Sequence, residues 1–188
     1  MTIKTFNINT DKTAFVRAYL PDSIAGLPFC EKRPAVLIFP GGGYEYCSDR
    51  EGEPIALQYL ALGYAAFVVT YSCNERFPEP LMDAAYIFYK IRMRAEEFKI
   101  DPQKMAVLGC SAGGHLAGCL ATMWSDIALT KTIGCEPEDL RPNAAILCYP
   151  VISGVTAPHE GSFKVLLGED ASRSDLSRLS LENRVTPK

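Results

Sequence analysis

The residues best suited to chemistry are a serine and the glycines that flank it two positions away on either side. They form the stretch Gly109-Cys110-Ser111-Ala112-Gly113. A short apolar run precedes the stretch and a run of small residues follows it, which predicts a strand-to-helix junction. On such a sharp turn a serine Oγ projects at the carboxyl edge of a sheet, and glycines let the neighbouring backbone approach closely. Ser111 is therefore the predicted catalytic nucleophile.

A second glycine-rich segment could stabilise the negative oxygen that forms when a serine attacks an acyl group. Directly after an apolar run the chain reads Pro40-Gly41-Gly42-Gly43-Tyr44. Backbone N–H groups must come within about 3 Å of that oxygen, so side chains must be absent there. We predict an oxyanion hole formed by the N–H of Ala112 and that of Gly42 or Gly43. A phosphate-binding loop is the weaker alternative, because no Lys-Ser/Thr follows and the spacing is not G-x-G-x-x-G.

The elements that must position these two segments alternate along the chain. Apolar runs predict strands over residues 14–20, 35–39, 64–71, 105–108 and 144–149. Composition and three- to four-residue apolar spacing predict helices over 53–62, 80–98 and 112–124, with a turn at 100–102. Several of the strands are apolar on both faces. The pattern therefore predicts an α/β fold with a mainly parallel sheet and helices on both faces.

The strand pattern stops after Pro150. Residues 153–158 are typical of a loop, 163–167 predict a short helical turn, and 172–183 are polar. We expect residues 1–188 to form a single domain that is C-terminally incomplete and lacks the last strands and helices of its fold. The strand around Ile146 would then have an unpaired edge and exposed apolar surface. Self-association into a homo-oligomer would cover that edge.

Composition limits the partners that the chain can have. It has 48% hydrophobic and 22% charged residues and a net charge of −3, which favours neither nucleic acid nor an anionic membrane. The polar N-terminus does not resemble a signal peptide, and no apolar run approaches the ~20 residues of a membrane span. We expect a cytoplasmic protein. Its seven cysteines are scattered without a C-x-x-C pair, which predicts reduced thiols, no metal site and no cofactor.

Several segments together resemble a known group, the bacterial α/β-hydrolases of the acetyl-xylan esterase-like and lipase/esterase-like type. Besides the two glycine-rich motifs, the resemblance extends from about Pro34 onward through these segments: Ser48-Asp49-Arg50-Glu51, Gly114-His115-Leu116-Ala117, Arg141-Pro142-Asn143-Ala144, Tyr149-Pro150-Val151-Ile152 and Gly161-Ser162-Phe163-Lys164-Val165-Leu166-Leu167-Gly168. The resemblance implies a serine esterase that removes small acyl groups, often acetyl from sugars. Its substrate would be a small acyl ester such as an acetylated sugar.

The remaining members of a catalytic triad are not evident. In this fold the acid and then the histidine follow the nucleophile along the chain. His115 lies in the first turn of the helix after Ser111, where a structural role is expected. His159 follows the last predicted strand and would come from the wrong strand end for a base. No context marks Asp170, Asp175 or Glu182 as a catalytic acid, and Cys110 is expected to point away from the turn.

Two alternatives to a small-acyl esterase stay open. Without a visible base and acid, the chain could be a non-catalytic or truncated hydrolase-like module that binds but does not turn over. Peptidases and aryl-formamide hydrolases also use a Gly-x-Ser-x-Gly-Gly turn. Two features favour the sugar-esterase branch. Pro40 precedes the glycines, where a histidine is commoner, and the chain carries the segment 48–51.

Overall fold

A six-stranded sheet forms the centre of the molecule. The computed structural model describes residues 1–7, 14–23, 30 and 32–186. The strands are β1 (Thr2–Asn7), β2 (Phe15–Leu20), β3 (Arg33–Phe39), β4 (Ala65–Thr70), β5 (Ile100–Cys110) and β6 (Ala144–Cys148). Their order across the sheet is β1-β2-β4-β3-β5-β6. β4, β3, β5 and β6 run parallel, whereas β1 pairs antiparallel with β2 and β2 with β4.

Helices cover both faces of this sheet. They are α1 (Glu53–Ala61), α2 (Glu79–Met93), α3 (Ala95–Phe98), α4 (Ser111–Met123), α5 (Ile127–Ile133), α6 (Pro137–Leu140), α7 (Glu160–Leu167) and α8 (Arg173–Leu179). Side chains of β3 alternate between two cores: Leu37 packs in the larger one with α2 and α4, and Val36 in the smaller one with Ala56 of α1. The predicted α/β fold with a mainly parallel sheet is therefore confirmed.

Most predicted elements are present, but two of their boundaries were wrong. The turn expected at 100–102 is the start of β5, because Ile100 pairs with Arg33. The register then shifts, and Met105 is the next partner, opposite Ala35. The helix expected over 80–98 is divided into α2 and α3 at Arg94, which leaves the helical conformation. Its apolar spacing continues across the break because Phe98 still reaches the core.

Some elements have little apolar signal in the sequence. β1 is mostly exposed and is formed by pairing with β2, so its residues have no buried face to reveal it. The segment expected as a short helical turn at 163–167 is the longer helix α7, and the polar stretch 172–183 contains α8. Ser172 caps α8 by accepting a hydrogen bond from Asp175 N–H.

β6 forms one edge of the sheet. Within the described residues it pairs only with β5. Ile146 and Leu147 each keep 37% of their surface exposed, and as successive residues of a strand they face opposite sides of the sheet. The expected unpaired edge and exposed apolar surface around Ile146 are thus present in this part of the chain. None of the described helices is long and apolar enough to cross a bilayer.

Candidate active site

Ser111 lies on the turn between β5 and α4. It has a φ of +52°, a conformation that costs energy for any residue with a Cβ. The flanking glycines make the turn possible. A Cβ on Gly109 would lie 2.0 Å from the Gly113 oxygen, and one on Gly113 would lie 2.0 Å from the Phe39 oxygen. The predicted strand–serine–helix turn is therefore present, and α4 begins at the serine itself.

The glycine loop (residues 40–48) follows β3 and packs against this turn. A Cβ on Gly41 would come within 2.9 Å of the Ser111 Cβ. Gly42 and Gly43 have φ values of +130° and +67°, and Glu45 N–H donates to the Gly42 oxygen at 3.0 Å. Among the described residues, neither the Gly42 nor the Gly43 N–H donates a hydrogen bond. Both donors therefore remain available for an oxyanion.

The Glu51 carboxylate joins the glycine loop to the end of β6. One oxygen accepts a hydrogen bond from Gly41 N–H at 2.6 Å, and the other accepts from the Tyr149 hydroxyl at 2.6 Å. The Gly41 N–H is thereby occupied, which leaves Gly42 and Gly43 as the loop's candidate donors. The bond to Glu51, and next the neighbouring Cys110 thiol, raise the pKa of Tyr149 above its ordinary value. Neither Glu51 nor Tyr149 was predicted from the sequence as a site residue.

Two cavities open at Ser111. The larger, about 600 Å³, is bounded by residues 149–153, Thr156, Ala157, His159 and Glu182. The smaller, about 370 Å³, is bounded by Gly42, Gly43, Tyr149 and again His159. The structure thus brings the predicted nucleophile and both predicted loop donors to one cavity. His159 borders both cavities and Glu182 borders the larger one, and sequence reasoning had set both residues aside.

The two histidines occupy different environments. His159 is exposed at the start of α7, where its Nδ1 lies 2.9 Å from Ser162 Oγ and accepts from Ser162 N–H at 3.3 Å. His115 is buried in the core. Its Nε2–H donates to the Leu179 oxygen at 2.8 Å, so its Nδ1 accepts from the Tyr44 hydroxyl at 2.7 Å. Neither imidazole hydrogen-bonds Ser111 in the described part of the chain.

Burial determines the protonation of the groups beside the turn. It lowers the pKa of His115, and nearby Arg184 lowers it further, while the hydrogen bond to Leu179 and the charge of Glu182 oppose the shift. Burial also raises the pKa of the Cys110 thiol to about 11. Cys110 is therefore protonated at neutral pH and unsuited to act as a nucleophile. The described residues contain no group of three or more His, Cys, Asp or Glu that could hold a metal ion.

The sheet is mainly parallel, Ser111 lies at positive φ between a central strand and the helix that follows it, and the glycine loop lies beside this serine. Together these features define the class of α/β hydrolases. Within that class the chain belongs to the BD-FAE family, whose model matches residues 27–157.

Curated relatives support this assignment. An acetylxylan esterase from Xylanibacter ruminicola is 30% identical over 190 residues, which are 96% of this chain and 35% of that protein. An endo-1,4-beta-xylanase B from Butyrivibrio fibrisolvens is 35% identical over 161 residues, which are 82% of this chain and 25% of that protein. The chain thus spans a quarter to about a third of these relatives.

Solved structures agree on the fold. The acetyl ester-xyloside bifunctional hydrolase from Caldicellulosiruptor lactoaceticus matches with a TM-score of 0.80 and 34% identity, over 96% of this chain and 65% of that one. MGS-M1, an alpha/beta hydrolase enzyme from a Medee basin deep-sea metagenome library, matches with a TM-score of 0.70 and 45% identity, over 81% of this chain and 58% of that one.

Proposed function

We propose that Ser111 is the nucleophile of a serine carboxylic-ester hydrolase that removes acetyl or other small acyl groups from carbohydrate-type substrates. The observation that carries the proposal is the positive φ of Ser111 on the β5–α4 turn, in one cavity with the glycine loop. A strained conformation at a cavity is expected where function requires it. The names of relatives such as the acetylxylan esterase support the choice of an ester bond and of an acetylated sugar.

The proposed chemistry is acyl transfer through the serine. Ser111 Oγ attacks the acyl carbon and forms a tetrahedral intermediate, which expels the alcohol as it takes up a proton. The acyl-serine that remains is then hydrolysed by water to the free acid and the serine. The N–H groups of Ala112 and of Gly42 or Gly43 stabilise the oxyanion, as does the N-terminus of α4. A base must accept the serine proton. In the described chain the imidazole at this cavity is His159, and its Nδ1 is already engaged by Ser162.

The nucleophile can be tested directly on this chain. We expect a fluorophosphonate probe to label the chain at Ser111, as mapped by peptide mass spectrometry, and p-nitrophenyl acetate to be hydrolysed. Ser111→Ala should abolish both. Ser153→Ala is the matched control, because this buried serine lines the larger cavity with Ser111 but starts no helix. Labelling that persists in Ser111→Ala would refute the assignment of the nucleophile.

A binding-only module is the second candidate function, and the absence of a hydrogen bond between Ser111 and either described histidine favours it. Its signature would be binding of acetylated xylo-oligosaccharides, measured by calorimetry, without probe labelling and without release of acetate.

The kind of bond that is cleaved can be determined by comparing acetylated xylo-oligosaccharides, peptides and aryl formamides as substrates at equal concentration. Hydrolysis of the peptide alone or of the aryl formamide alone would identify the chain as a peptidase or as an aryl-formamide hydrolase.

A further inference from the structure

Two cysteine side chains are in contact beside the proposed oxyanion hole. The Sγ atoms of Cys47 and Cys73 are 3.8 Å apart. Cys47 belongs to the glycine loop, and Cys73 lies three residues after the end of β4 at Thr70. Both are half-buried, and Cys47 lines a surface cavity of about 630 Å³. A small molecule can therefore approach the pair from the Cys47 side, and Cys73 is itself partly exposed to solvent.

Hydrogen bonds hold the two backbone segments in register around this pair. Asn74 N–H donates to the Tyr44 oxygen at 2.8 Å, and Asn74 Nδ2 donates to the Glu45 oxygen at 2.9 Å. The Tyr71 hydroxyl donates to the Pro40 oxygen at 2.7 Å. A disulfide has an S–S bond of about 2.05 Å, so the sulfur atoms must approach by roughly 2 Å. Rotation of the two side chains can supply this movement while the hydrogen bonds keep the backbone in place.

The contact makes the two thiols unequal. The Cys73 thiol donates to the Tyr71 oxygen at 3.4 Å, which leaves its sulfur free to accept from the Cys47 thiol. The hydrogen bond from Cys47 lowers the pKa of Cys73, although burial and the nearby Asp83 oppose the shift. The same hydrogen bond, together with burial, raises the pKa of Cys47. Because the thiolate is the reactive form, Cys73 is the attacking residue and Cys47 the one that completes the reaction.

Three other thiols of the chain are less reactive. Burial raises the pKa of Cys119 to about 12 and that of Cys110 to about 11. Burial followed by the charges of Asp139 and Glu136 raises the pKa of Cys135. Exchange with a disulfide should therefore select Cys73 over these three cysteines.

We propose that Cys47 and Cys73 form a reversible disulfide that ties the glycine loop to the end of β4, with a small-molecule disulfide as the oxidant. The Cys73 thiolate attacks one sulfur of the oxidant, forms a mixed disulfide and releases one thiolate. Cys47 loses its proton and attacks the Cys73 sulfur, which breaks the mixed disulfide and releases the second thiolate. The protein loses two electrons and two protons, and the oxidant becomes two thiols. The link covalently restrains the loop that carries Gly42 and Gly43.

Oxidation in graded glutathione buffers tests this proposal without any measurement of activity. The 188-residue chain is equilibrated with oxidised and reduced glutathione, unfolded in guanidinium with N-ethylmaleimide so that the buried thiols also react, and analysed by intact-mass and peptide mass spectrometry. We expect the loss of two hydrogen atoms, alkylation of five of the seven cysteines, and a cross-linked peptide pair containing Cys47 and Cys73. Dithiothreitol should return all seven cysteines to the alkylatable state.

Variants separate the two steps. In Cys47→Ser the mixed glutathione disulfide at Cys73 should accumulate, whereas Cys73→Ser should form neither that adduct nor the cross-link. Cys135→Ser is the matched control and should cross-link like the original chain. A cross-link that joins Cys110 to Cys148, register partners on β5 and β6, would overturn the proposal. So would an original chain that carries only glutathione adducts, or stays fully reduced, in excess oxidised glutathione.

Discussion

At the scale of single residues, Glu51 connects two parts of the candidate active site that are far apart in the chain. Its carboxylate accepts from Gly41 N–H in the glycine loop and from the Tyr149 hydroxyl after β6. Hydrogen bonds to a charged acceptor are roughly twice as strong as those between neutral groups. Glu51 is therefore a positioning residue, because it holds the glycine loop against the end of β6 at the wall of the smaller cavity.

Replacing Glu51 with glutamine should loosen the glycine loop. The amide has one acceptor oxygen, so it can bond Gly41 N–H only with its NH2 group turned to the Tyr149 hydroxyl, and the bond to Gly41 then has no charged acceptor. We expect Glu51→Gln to lower the free energy of unfolding by about 1–3 kcal/mol and to slow fluorophosphonate labelling of Ser111. Urea titration and the labelling rate measure the two effects. Tyr149→Phe, which removes only the more exposed bond, should have a smaller effect, and equal losses would argue against the role of Gly41.

His115 should make stability dependent on pH. Burial lowers its pKa in the folded state below the ordinary 6.5, so below about pH 6.5 the unfolded chain binds a proton that the folded chain does not. Its contribution to stability is therefore complete above the unfolded pKa and is lost as the pH falls below it. Urea unfolding at pH 7.5 and pH 5 should show this loss.

The loss can be assigned to His115 with two variants. His115→Gln should reduce the difference in unfolding free energy between the two pH values, and the exposed His159 provides the matched control, His159→Gln. If His115→Gln kept the full difference, other groups would have to be responsible for it.

The residues of the site differ in how far sequence could reveal them. Ser111, Gly42 and Gly43 are marked by glycines at fixed spacing, because a positive φ and close backbone contacts exclude most other residues there. The bond between Glu51 and Tyr149 joins residues 98 positions apart. Local pattern carries no information about such a contact, so only the fold could reveal it.

At the scale of elements, the β5–α4 turn depends on the space at two glycines. A Cβ on Gly113 would meet the Phe39 oxygen at 2.0 Å, so β3 and the turn would have to separate. We expect Gly113→Ala to cost about 1–3 kcal/mol of unfolding free energy, the range of overpacked core positions. Gly161→Ala is the matched control in α7, where the nearest atom to the new Cβ is a His159 side-chain atom at 3.6 Å. Chemical denaturation of both variants measures the difference, and equal stability would refute the close packing.

Strands and helices could be predicted from the sequence where they bury an apolar face. β3 and β4 are continuous apolar runs, and their predicted bounds agree with the structure within two residues. β1 owes its strand conformation to its partner β2 rather than to burial. The early start of β5 also depends on a partner, because Ile100 pairs with Arg33 before the register shift. Pairing between distant segments was the information that local pattern lacked.

At the scale of the whole molecule, the β6 edge combines unpaired backbone with apolar side chains. Within the described residues nothing pairs with its outer side, and Ile146 and Leu147 are each 37% exposed. Open edges of this kind are templates for pairing with another chain. We therefore predict that the 188-residue chain self-associates through β6.

Sedimentation velocity over a range of concentrations measures this association. We expect the original chain to shift toward a larger species as its concentration rises, because burying Ile146 and the edge removes apolar surface from water. Ile146→Lys should shift the distribution back toward the monomer, since association would then bury a charge. Ile127→Lys is the matched control, because Ile127 is 69% exposed on α5, which packs against α2 and α6 rather than at the β6 edge. If both variants weakened association equally, general surface hydrophobicity would be the cause, and a monomer at every concentration would contradict the prediction outright.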